Sequence, residues 1–487
     1  MSEVLLLNVA EYETRVAVLF DGILQAVYIE RESSRSITGN IYAGRVVRIL
    51  PGIQAAFVDF GGDRPGFLHV NEIPGEGDIQ NLLHDGKMIL VQVSKEQISN
   101  KGARLSMMLS IASRYLVVLL NSAHIGVSQK ITTPEEKERL HDMVLRLRQS
   151  FGLPDSLGFI VRTNARYADE QDLAQDVGYL KHVWEETITG EHIPNNPGLI
   201  YEEVPLYMRV VRDLACSETQ VIRVDDADAY EKLRTYMKLQ VPQQVGVLEL
   251  ENPKLSVFDS FNIENEISAA LLRKVTLKSG GSIVIEQTEA MVTIDVNTGA
   301  YVGNRDLEET VYRTNMEAAK EIPRQLRLRN LGGIIVIDFI DMIDPEHRLS
   351  VLEELTKAAE RDPERTWISG FSDLGLVEMT RRRDRESLAR QMGEVCRVCD
   401  GMSVVKSMQT VCYEIFRLLA KINIVGPSGV GRGSHRNFEL RLSPELADRL
   451  QNQESGLFMR QRTALDVQVE LKIEAGYERS RFDLVRV

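Results

Sequence analysis

Alternation of hydrophobic and polar positions dominates the first part of the chain. Residues 1 to about 34 alternate as strands do, and residues 39 to about 110 hold short alternating runs separated by Gly and Pro, which predict a small β-barrel. Helical signals follow. Thr133, Pro134 and Glu136 have the form of a capping box with proline at the first helical position, which predicts a helix running toward Ser150. Residues 205 to about 268 are helical in character and can complete a domain with the N-terminal strands.

A continuous apolar run lies later in the chain, in the stretch GGIIVIDFIDM from Gly332 to Met342. A run of this kind, without polar alternation, predicts a strand buried on both faces. A buried and ionised Asp338 would cost several kcal/mol unless a metal or a charged partner compensated it. This carboxylate therefore needs a chemical explanation.

A second carboxylate ends another predicted strand. The pattern predicts a hairpin with strands at residues 283–286 and 291–297, followed by a helix from about 306 to 329. Asp295 and Asn297 are two residues apart and so share one face of their strand. If this strand neighbours the one that ends at Asp338, two carboxylates and an amide meet at one sheet edge, a set of ligands that suits Mg²⁺. The alternative is that both aspartates cap loops.

Composition and charge narrow the class of protein. A chain of 487 residues exceeds one hydrophobic core and predicts roughly three or more domains. The net charge of -13 argues against indiscriminate polyanion binding, although local basic clusters can still hold nucleic acid. The sequence has no apolar run of membrane-spanning length and no signal-peptide pattern at its start. Four cysteines make no disulfide framework, so we expect a cytoplasmic protein without membrane association.

Arginines flank the predicted carboxylate edge. A spacing of three on a helix puts Arg324 and Arg327 on one face, where they could hold a phosphate backbone, and the alternative is a solvated helix face. Farther upstream, Arg162 and Thr163 end the predicted strand in GFIVRTNA and could grip a phosphate, or simply decorate the surface. The clustered arginines are Arg324, Arg327, Arg329, Arg381, Arg382, Arg383 and Arg385.

Cys396 and Cys399 form a C-x-x-C pair, which is half of a tetrahedral thiolate zinc site. The sequence that follows contains no second pair, so the other half would come from elsewhere, most simply from the same pair of a second subunit. A thioredoxin-like redox role is a less favoured alternative.

The order of these motifs resembles the bacterial ribonuclease E/G family along nearly the whole chain. The stretch from Gly39 to Ile73 resembles an S1 RNA-binding module of the OB-fold class. It is followed by RTNA, LKSGGSIVIEQTEAMVTIDVNTGAYVG, RQLRLRNLGGIIVIDFIDM, GLVEMTRRR and the C-x-x-C pair. The length and the lack of a long Arg- and Pro-rich C-terminal tail are more like the ribonuclease G branch than the ribonuclease E branch. They imply no C-terminal scaffold for other decay proteins.

The resemblance implies a multidomain α+β architecture. A divided RNase H-like domain (1–34 with 205–269) would be interrupted by an S1 domain (35–111) and a 5′-sensor domain (112–204). A DNase I-like α/β catalytic domain (270–390), a zinc-link (391–406) and a small C-terminal domain (407–487) would follow.

The resemblance also implies roles for individual residues. The stretch CRVCDGMS keeps both thiolates of the family's usual C-P-x-C-x-G-x-G zinc-link and lacks its proline and its second glycine. Two further rings, Tyr42 and Phe60, could equally face RNA or lie in the barrel core. The implied assignments are Asp295 and Asp338 as Mg²⁺ ligands with Asn297 at the adjoining catalytic position, Phe57, Phe67 and Lys101 for RNA, Val117, Arg162 and Thr163 for a 5′-phosphate, and Cys396 and Cys399 for Zn²⁺.

Together the motifs and this resemblance imply a Mg²⁺-dependent endoribonuclease that cleaves single-stranded RNA, of the type that acts in rRNA or tRNA processing and mRNA decay. It would favour 5′-monophosphorylated RNA and leave 5′-phosphate and 3′-hydroxyl ends. A homodimer or higher homo-oligomer would form through the shared zinc. The alternatives are a non-catalytic S1-type RNA-binding protein with structural aspartates and a metal-dependent phosphodiesterase that acts on another substrate.

Overall fold

A computed structural model describes residues 2–96, 102–187, 194–251, 256–299, 307–383, 385–424 and 436–487. The chain forms two compact units, one ending at Gln391 and the other beginning at Met392. Both mix helices and sheets, so the fold is multidomain α+β, as predicted. None of the described helices combines the length and the apolar character needed to cross a membrane.

Strands occur in both units. They are β1 (Glu3–Val9), β2 (Glu13–Phe20), β3 (Ile23–Arg31), β4 (Ile41–Leu50), β5 (Ala55–Asp59), β6 (Gly66–His69), β7 (Met88–Lys95), β8 (Arg104–Ser106), β9 (Ser110–Ala112), β10 (Leu116–Leu119), β11 (Ser122–Val127), β12 (Leu157–Val161), β13 (Gly198–Tyr201), β14 (Thr219–Val224), β15 (Leu248–Leu250), β16 (Lys274–Thr276), β17 (Ser282–Gln287), β18 (Met291–Asn297), β19 (Gly333–Asp338), β20 (Thr366–Phe371), β21 (Leu376–Arg381), β22 (Arg436–Leu442), β23 (Val467–Ile473) and β24 (Phe482–Arg486).

Helices connect and cover the sheets. They are α1 (Ile79–Leu82), α2 (Pro134–Ser150), α3 (Glu170–Thr187), α4 (Leu206–Leu214), α5 (Ala227–Gln240), α6 (Val257–Ser260), α7 (Ile263–Ala270), α8 (Leu307–Leu328), α9 (Pro345–Ala359), α10 (Leu388–Met392), α11 (Met408–Ile424), α12 (Pro444–Asp448) and α13 (Ser455–Leu465).

The N-terminal sheet has the strand order β15-β14-β1-β2-β3. Strand β1 pairs in parallel with β14, so the first residues of the chain share a sheet with a segment more than 200 residues away. Leu5 and Leu7 pack with residues of α4 and α5, whereas Leu6 packs on the opposite face with residues of α6 and α7. This sheet is therefore covered on both sides.

A small barrel follows, with the order β13-β4-β5-β6-β8-β7 and a closing pair between β4 and β7. Its apolar interior includes Val58, Phe60 and Leu68. Phe60 is therefore a core residue, and the half-buried Tyr42 ring lies edge-on to it at 5.1 Å between centroids. Strand β13 extends this barrel sheet, although the predicted boundaries place it in the 5′-sensor domain (112–204).

The sheet β11-β12-β10-β9 packs against α2 and α3, and we call this part, residues 110–187, the β9–β12 module. Helix α2 begins at Pro134 and ends at Ser150, as predicted. The capping-box prediction is wrong, because the Thr133 side chain makes no capping hydrogen bond. The Glu136 carboxylate instead binds Arg139, at 2.6 Å and 2.8 Å.

The sheet β16-β17-β18-β19-β21-β20 carries the two predicted carboxylates. The hairpin β17–β18 and the helix α8 lie where the sequence predicted them. Helices α8 and α9 cover one face, where Ile335 and Ile337 are fully buried. The prediction that β19 is buried on both faces is wrong, since Ile334 is 52% exposed and Asp338 is exposed. The reason is that, within the described chain, helices pack on one face of this strand and leave the other accessible.

The second unit contains the sheet β23-β22-β24 and a core formed with α11, α12 and α13. Cys412 lies in this core, whereas the C-x-x-C pair lies in a turn region before α11.

Candidate active site

Two carboxylates lie side by side at the ends of β18 and β19. These strands are parallel neighbours, and Asp295 is the register partner of Asp338. Adjacent strands are about 4.8 Å apart, so the two side chains leave the sheet next to each other. Both residues are exposed on the uncovered face, which we call the open face and which also carries Ile334.

Asn297 lies two residues after Asp295 on β18 and adds an amide to the two carboxylates. It is exposed on the same face as Asp295, and its Nδ2 donates a hydrogen bond to Asp295 Oδ2 at 2.7 Å. The alternation in β18 explains this display, because Val292, Ile294 and Val296 are buried toward α8 while the polar positions between them point away. The residues that follow, 300–306, lie outside the described chain and include the end of the NTGAYVG motif.

Two residues of α8 hold the segment after Asp338, and the sequence did not single them out. The buried Asn315 donates to Ile340 O at 2.8 Å and accepts from Ile340 N at 3.2 Å. Glu308 accepts main-chain hydrogen bonds from Ile343 and Asp344. The Asp344 hydrogen bond in particular holds the pKa of Glu308 below its usual range. In the sequence, Asn315 could have been noticed as a polar residue on the apolar side of α8, together with Thr314.

The donor set at this edge fits Mg²⁺. Asp295 and Asp338 offer carboxylate oxygens to solvent, and Asn297 orients one of them. Mg²⁺ is typically bound by one or two protein carboxylates, with water and substrate phosphate completing the octahedron. Among the described residues, no group of three or more His, Cys, Asp or Glu side chains could hold a metal, so this edge would supply only two carboxylates.

Arg324 and Arg327 do not form the predicted phosphate-binding face, because each is bound to another part of the fold. Arg381 is buried and binds the Asp362 carboxylate at 2.7 Å. Arg382 and Arg383 are exposed. The other clustered arginines bind oxygens of neighbouring segments: Arg324 to Leu24 at 2.9 Å, Arg327 to Gln25 at 2.8 Å, Arg329 to Leu272 at 2.7 Å and Arg385 to Val27 at 3.0 Å. For these buried or paired residues both the phosphate prediction and the solvated-face alternative are wrong, because the guanidinium groups join α8 and its surroundings to other parts of the fold.

The barrel displays a pair of aromatic rings. Phe57 on β5 is the register partner of Phe67 on β6, and both are half-buried between inward-facing neighbours. Their ring centroids are 6.1 Å apart in an edge-on arrangement. Lys101, the third predicted RNA-binding residue, lies outside the described residues.

The β9–β12 module gathers the three residues predicted to hold a 5′-phosphate. The half-buried Val117 lies on β10, the strand adjacent to β12, and Arg162 follows the end of β12. The main-chain N–H of Arg162 donates to Tyr115 O at 2.8 Å. Thr163 begins a 3₁₀ turn, and its hydroxyl lies 3.0 Å from the Ser128 hydroxyl. Ser128 was missed by the sequence analysis, because its contact with Thr163 spans 35 residues.

Cys396 and Cys399 are free thiols in the second unit. Main-chain hydrogen bonds from Cys399 and Val398 hold the pKa of Cys396 below its usual range. Thiolates are the form of cysteine that binds zinc. Two thiolates fill half of a tetrahedron.

Fold and site define a class: a multidomain α+β protein that displays paired carboxylates on an open sheet face and aromatic rings on a separate barrel. The family model of ribonuclease E/G matches residues 110–384. Ribonuclease G of Escherichia coli strain K12 is 44% identical, with 100% of both chains covered. Ribonuclease G of Haemophilus influenzae is 40% identical, with 99% of both chains covered. Ribonuclease E of Escherichia coli K12 is 36% identical over 85% of this chain and 40% of its own length. The chain therefore belongs to the ribonuclease E/G family, as the motif order predicted.

Proposed function

We propose that this chain is an endoribonuclease that cleaves single-stranded RNA with the help of Mg²⁺. Its family membership supports the endoribonuclease class. The observation that carries the metal dependence is the register pairing of Asp295 with Asp338 on an exposed sheet face, with Asn297 bonded to Asp295. Exposed neighbouring carboxylates repel each other, and a cation between them would remove that cost.

In this proposal Asp295 and Asp338 hold the metal, and Asn297 keeps the Asp295 carboxylate in one orientation. When bound, Mg²⁺ would offset the negative charge that grows on the phosphate during attack. The oxygen of a water molecule bonds to phosphorus and the water gives up one proton, while the bond between phosphorus and O3′ breaks and O3′ takes up one proton. The products would then carry a 5′-phosphate and a 3′-hydroxyl.

Two further regions of the fold, the barrel and the β9–β12 module, would bind RNA at some distance from the carboxylates. Phe57 and Phe67 present ring surface on an S1-type barrel, and stacking of an unpaired base on such a ring is worth ~1–3 kcal/mol. Arg162 and Thr163, with Val117 nearby, would bind a 5′-monophosphate, which is a compact anion that a guanidinium and a hydroxyl can enclose. Binding of the RNA end would raise the local concentration of the downstream RNA at Asp295 and Asp338.

We assign the modules accordingly. The N-terminal sheet with α4 to α7 is the divided RNase H-like domain, the barrel is the S1 domain, and the β9–β12 module is the 5′ sensor. The β16–β21 sheet is the DNase I-like catalytic domain, followed by a zinc-link and a small C-terminal domain.

Cys396 and Cys399 would share one Zn²⁺ with the same pair of a second subunit, since four thiolates complete the tetrahedron. Metal analysis should then give one zinc for two chains, and Cys396→Ser should lower the mass of the particle in solution. One zinc per chain, or an unchanged mass for the variant, would contradict the shared site.

The central test uses one single-stranded RNA prepared with a 5′-monophosphate, a 5′-triphosphate or a 5′-hydroxyl end. We expect internal cleavage with Mg²⁺, none after addition of EDTA, and faster cleavage of the monophosphorylated RNA through a lower KM. Sequencing of the product ends checks the predicted chemistry. RNA binding without cleavage under any metal condition would instead indicate a non-catalytic RNA-binding protein.

A further inference from the structure

The C-terminal part of α4, in the N-terminal sheet region, reaches the RTNA segment of the β9–β12 module through one residue. Arg162 Nη1 donates to Asp213 Oδ1 at 2.7 Å. Asn164 Nδ2 donates to the Asp213 main-chain oxygen at 3.0 Å. Both neighbours of Thr163 are therefore anchored to Asp213, while the Thr163 hydroxyl itself contacts Ser128.

The guanidinium of Arg162 is fixed along one edge. Its Nη1 also donates to Ser113 O at 2.6 Å, so both hydrogens of this nitrogen are used. Within the described chain, Nε and Nη2 of Arg162 make no hydrogen bond. A guanidinium held at one nitrogen keeps its other edge available for two parallel hydrogen bonds to a phosphate.

Asp213 is itself held in place. Arg212, which is 4% exposed, contacts both Asp213 oxygens, with Nε–Oδ1 at 3.1 Å and Nη2–Oδ2 at 3.3 Å. Arg212 Nη1 also binds Glu203 at 2.8 Å and Ala112 O at 3.1 Å. Burial by itself would raise the pKa of Asp213, but Arg212 and Arg162 outweigh it and hold the pKa below its usual range. The carboxylate is thus charged and oriented before any ligand arrives.

We infer that Asp213 is a positioning residue for recognition of the RNA 5′ end: it locks Arg162 so that the free edge of the guanidinium and the Thr163 hydroxyl stay in place for a terminal phosphate. This inference rests on the proposed function. It gives the N-terminal sheet region, in which the sequence showed no chemistry, a part in substrate selection. Asp213 does not touch RNA in this arrangement and acts only through Arg162 and Asn164.

The test compares kcat and KM for monophosphorylated and hydroxyl-ended forms of one RNA, using the full-length protein. Asp213→Ala should lower the monophosphate preference in kcat/KM by about ten-fold, as expected for loss of a hydrogen bond between charged groups, and the loss should appear in KM. Asp213→Asn keeps an acceptor oxygen and should retain part of the preference. Asn164→Ala removes the second anchor at an exposed position and should reduce the preference by a smaller factor.

Arg209→Met is the matched control. Arg209 also lies on α4 and forms a partly buried ion pair, with Glu30 at 3.1 Å, but it does not contact the RTNA segment. This variant should lose about as much stability as Asp213→Ala does, while keeping the monophosphate preference. If Asp213→Ala fails to fold, Asp213→Asn and Asn164→Ala decide the matter, because full preference in both would overturn the inference.

The outcomes separate this inference from the function it rests on. A wild-type protein without any monophosphate preference would remove the 5′-sensor proposal itself. If Arg162→Ala loses the preference and Asp213→Ala keeps it, the sensor remains and the role of Asp213 is refuted. A stronger preference in Asp213→Ala would mean that Asp213 competes with the phosphate for Arg162, which also overturns the inference.

Discussion

The proposed catalytic edge and the proposed 5′-end pocket are built in opposite ways. At the edge, Asp295, Asn297 and Asp338 stand exposed on two adjacent strands, and a single described hydrogen bond joins Asn297 to Asp295. At the pocket, Arg162 is held by Ser113 and Asp213, which are 49 and 51 residues away in sequence. The carboxylate oxygens at the edge remain accessible to a cation. At the pocket, the guanidinium of Arg162 is already paired with the Asp213 carboxylate. The first arrangement suits metal-assisted chemistry and the second suits selective recognition.

The largest effect should come from Asp338→Asn. The change removes one of the two carboxylate charges at the edge while leaving the strand intact, so we expect a loss of at least ~1,000-fold in kcat, or about 4 kcal/mol. RNA affinity should stay within a few-fold, because the aromatic pair on the barrel is untouched. Single-turnover cleavage and a binding titration measure the two quantities.

Glu378→Gln is the control for Asp338→Asn. Glu378 is an exposed carboxylate on the open face, paired in register with Val336, and its removal should change kcat little. Equal losses in both variants would mean that the general negative charge of the face matters and not the paired edge. Retained Mg²⁺-dependent cleavage in Asp338→Asn would remove this residue from the site.

Unlike the exposed carboxylates at the edge, a buried carboxylate in the β9–β12 module should make the stability of the fold depend on pH. Asp176 is 2% exposed and accepts main-chain hydrogen bonds from Tyr115 and Leu116. Burial raises the pKa of Asp176 from 3.8 to about 6. Asp176 keeps its proton to a higher pH in the folded state than in the unfolded state. Its contribution to the free energy of unfolding, about 3 kcal/mol, is therefore complete below pH 4 and is lost as the pH rises past 6.

Asp176→Asn should remove this pH dependence. We expect the stability difference between variant and wild type to shift by up to about 3 kcal/mol in favour of the variant from pH 4 to pH 8, measured by urea unfolding. Asp142→Asn, an exposed carboxylate in the same module, should show no such change. A constant difference between Asp176→Asn and wild type would show that Asp176 does not titrate in this range.

Asn297→Ala tests how much activity depends on the hydrogen bond that orients the Asp295 carboxylate. The amide orients Asp295 but supplies no charge, so its loss should cost 10- to 100-fold in kcat, the range seen when a residue that orients a metal ligand is removed. Thr293→Ala changes a polar position on the same face of β18 and should have little effect. An unchanged kcat for Asn297→Ala would leave the two carboxylates sufficient by themselves.

The smallest effect should come from the barrel. Phe57→Ala or Phe67→Ala leaves the other ring in place, so each should weaken RNA binding by about 1 kcal/mol, the lower end of the range for a stacked base, or about five-fold in Kd. Turnover at saturating RNA should hardly change. Ile53→Ala, at an exposed apolar position between β4 and β5, is the control. Unaltered binding in both phenylalanine variants would assign these rings to the barrel structure.

Much of this architecture could be predicted from local patterns. The hairpin β17–β18, the helix α8 and the start of α2 at Pro134 are encoded within a few residues, and all three lie where the pattern placed them. The neighbouring positions of Asp295 and Asp338 needed one additional step, the parallel pairing of β18 with β19. The contacts of the clustered arginines could not be predicted, because their partners lie as far as 358 residues away in sequence.

Two apolar runs show where sequence stops being informative. Leu5, Leu6 and Leu7 in β1 are fully buried, because helices cover both faces of the N-terminal sheet. The comparable run in β19 has Ile334 half exposed and ends in an exposed Asp338. By itself the sequence determined that both runs are strands and that carboxylates end the second hairpin strand and β19, because strand pairing needs only a few consecutive residues of suitable type. Only the tertiary structure decided which faces are covered and which carboxylate meets Arg162, because burial and ion pairing depend on segments that lie far apart along the chain.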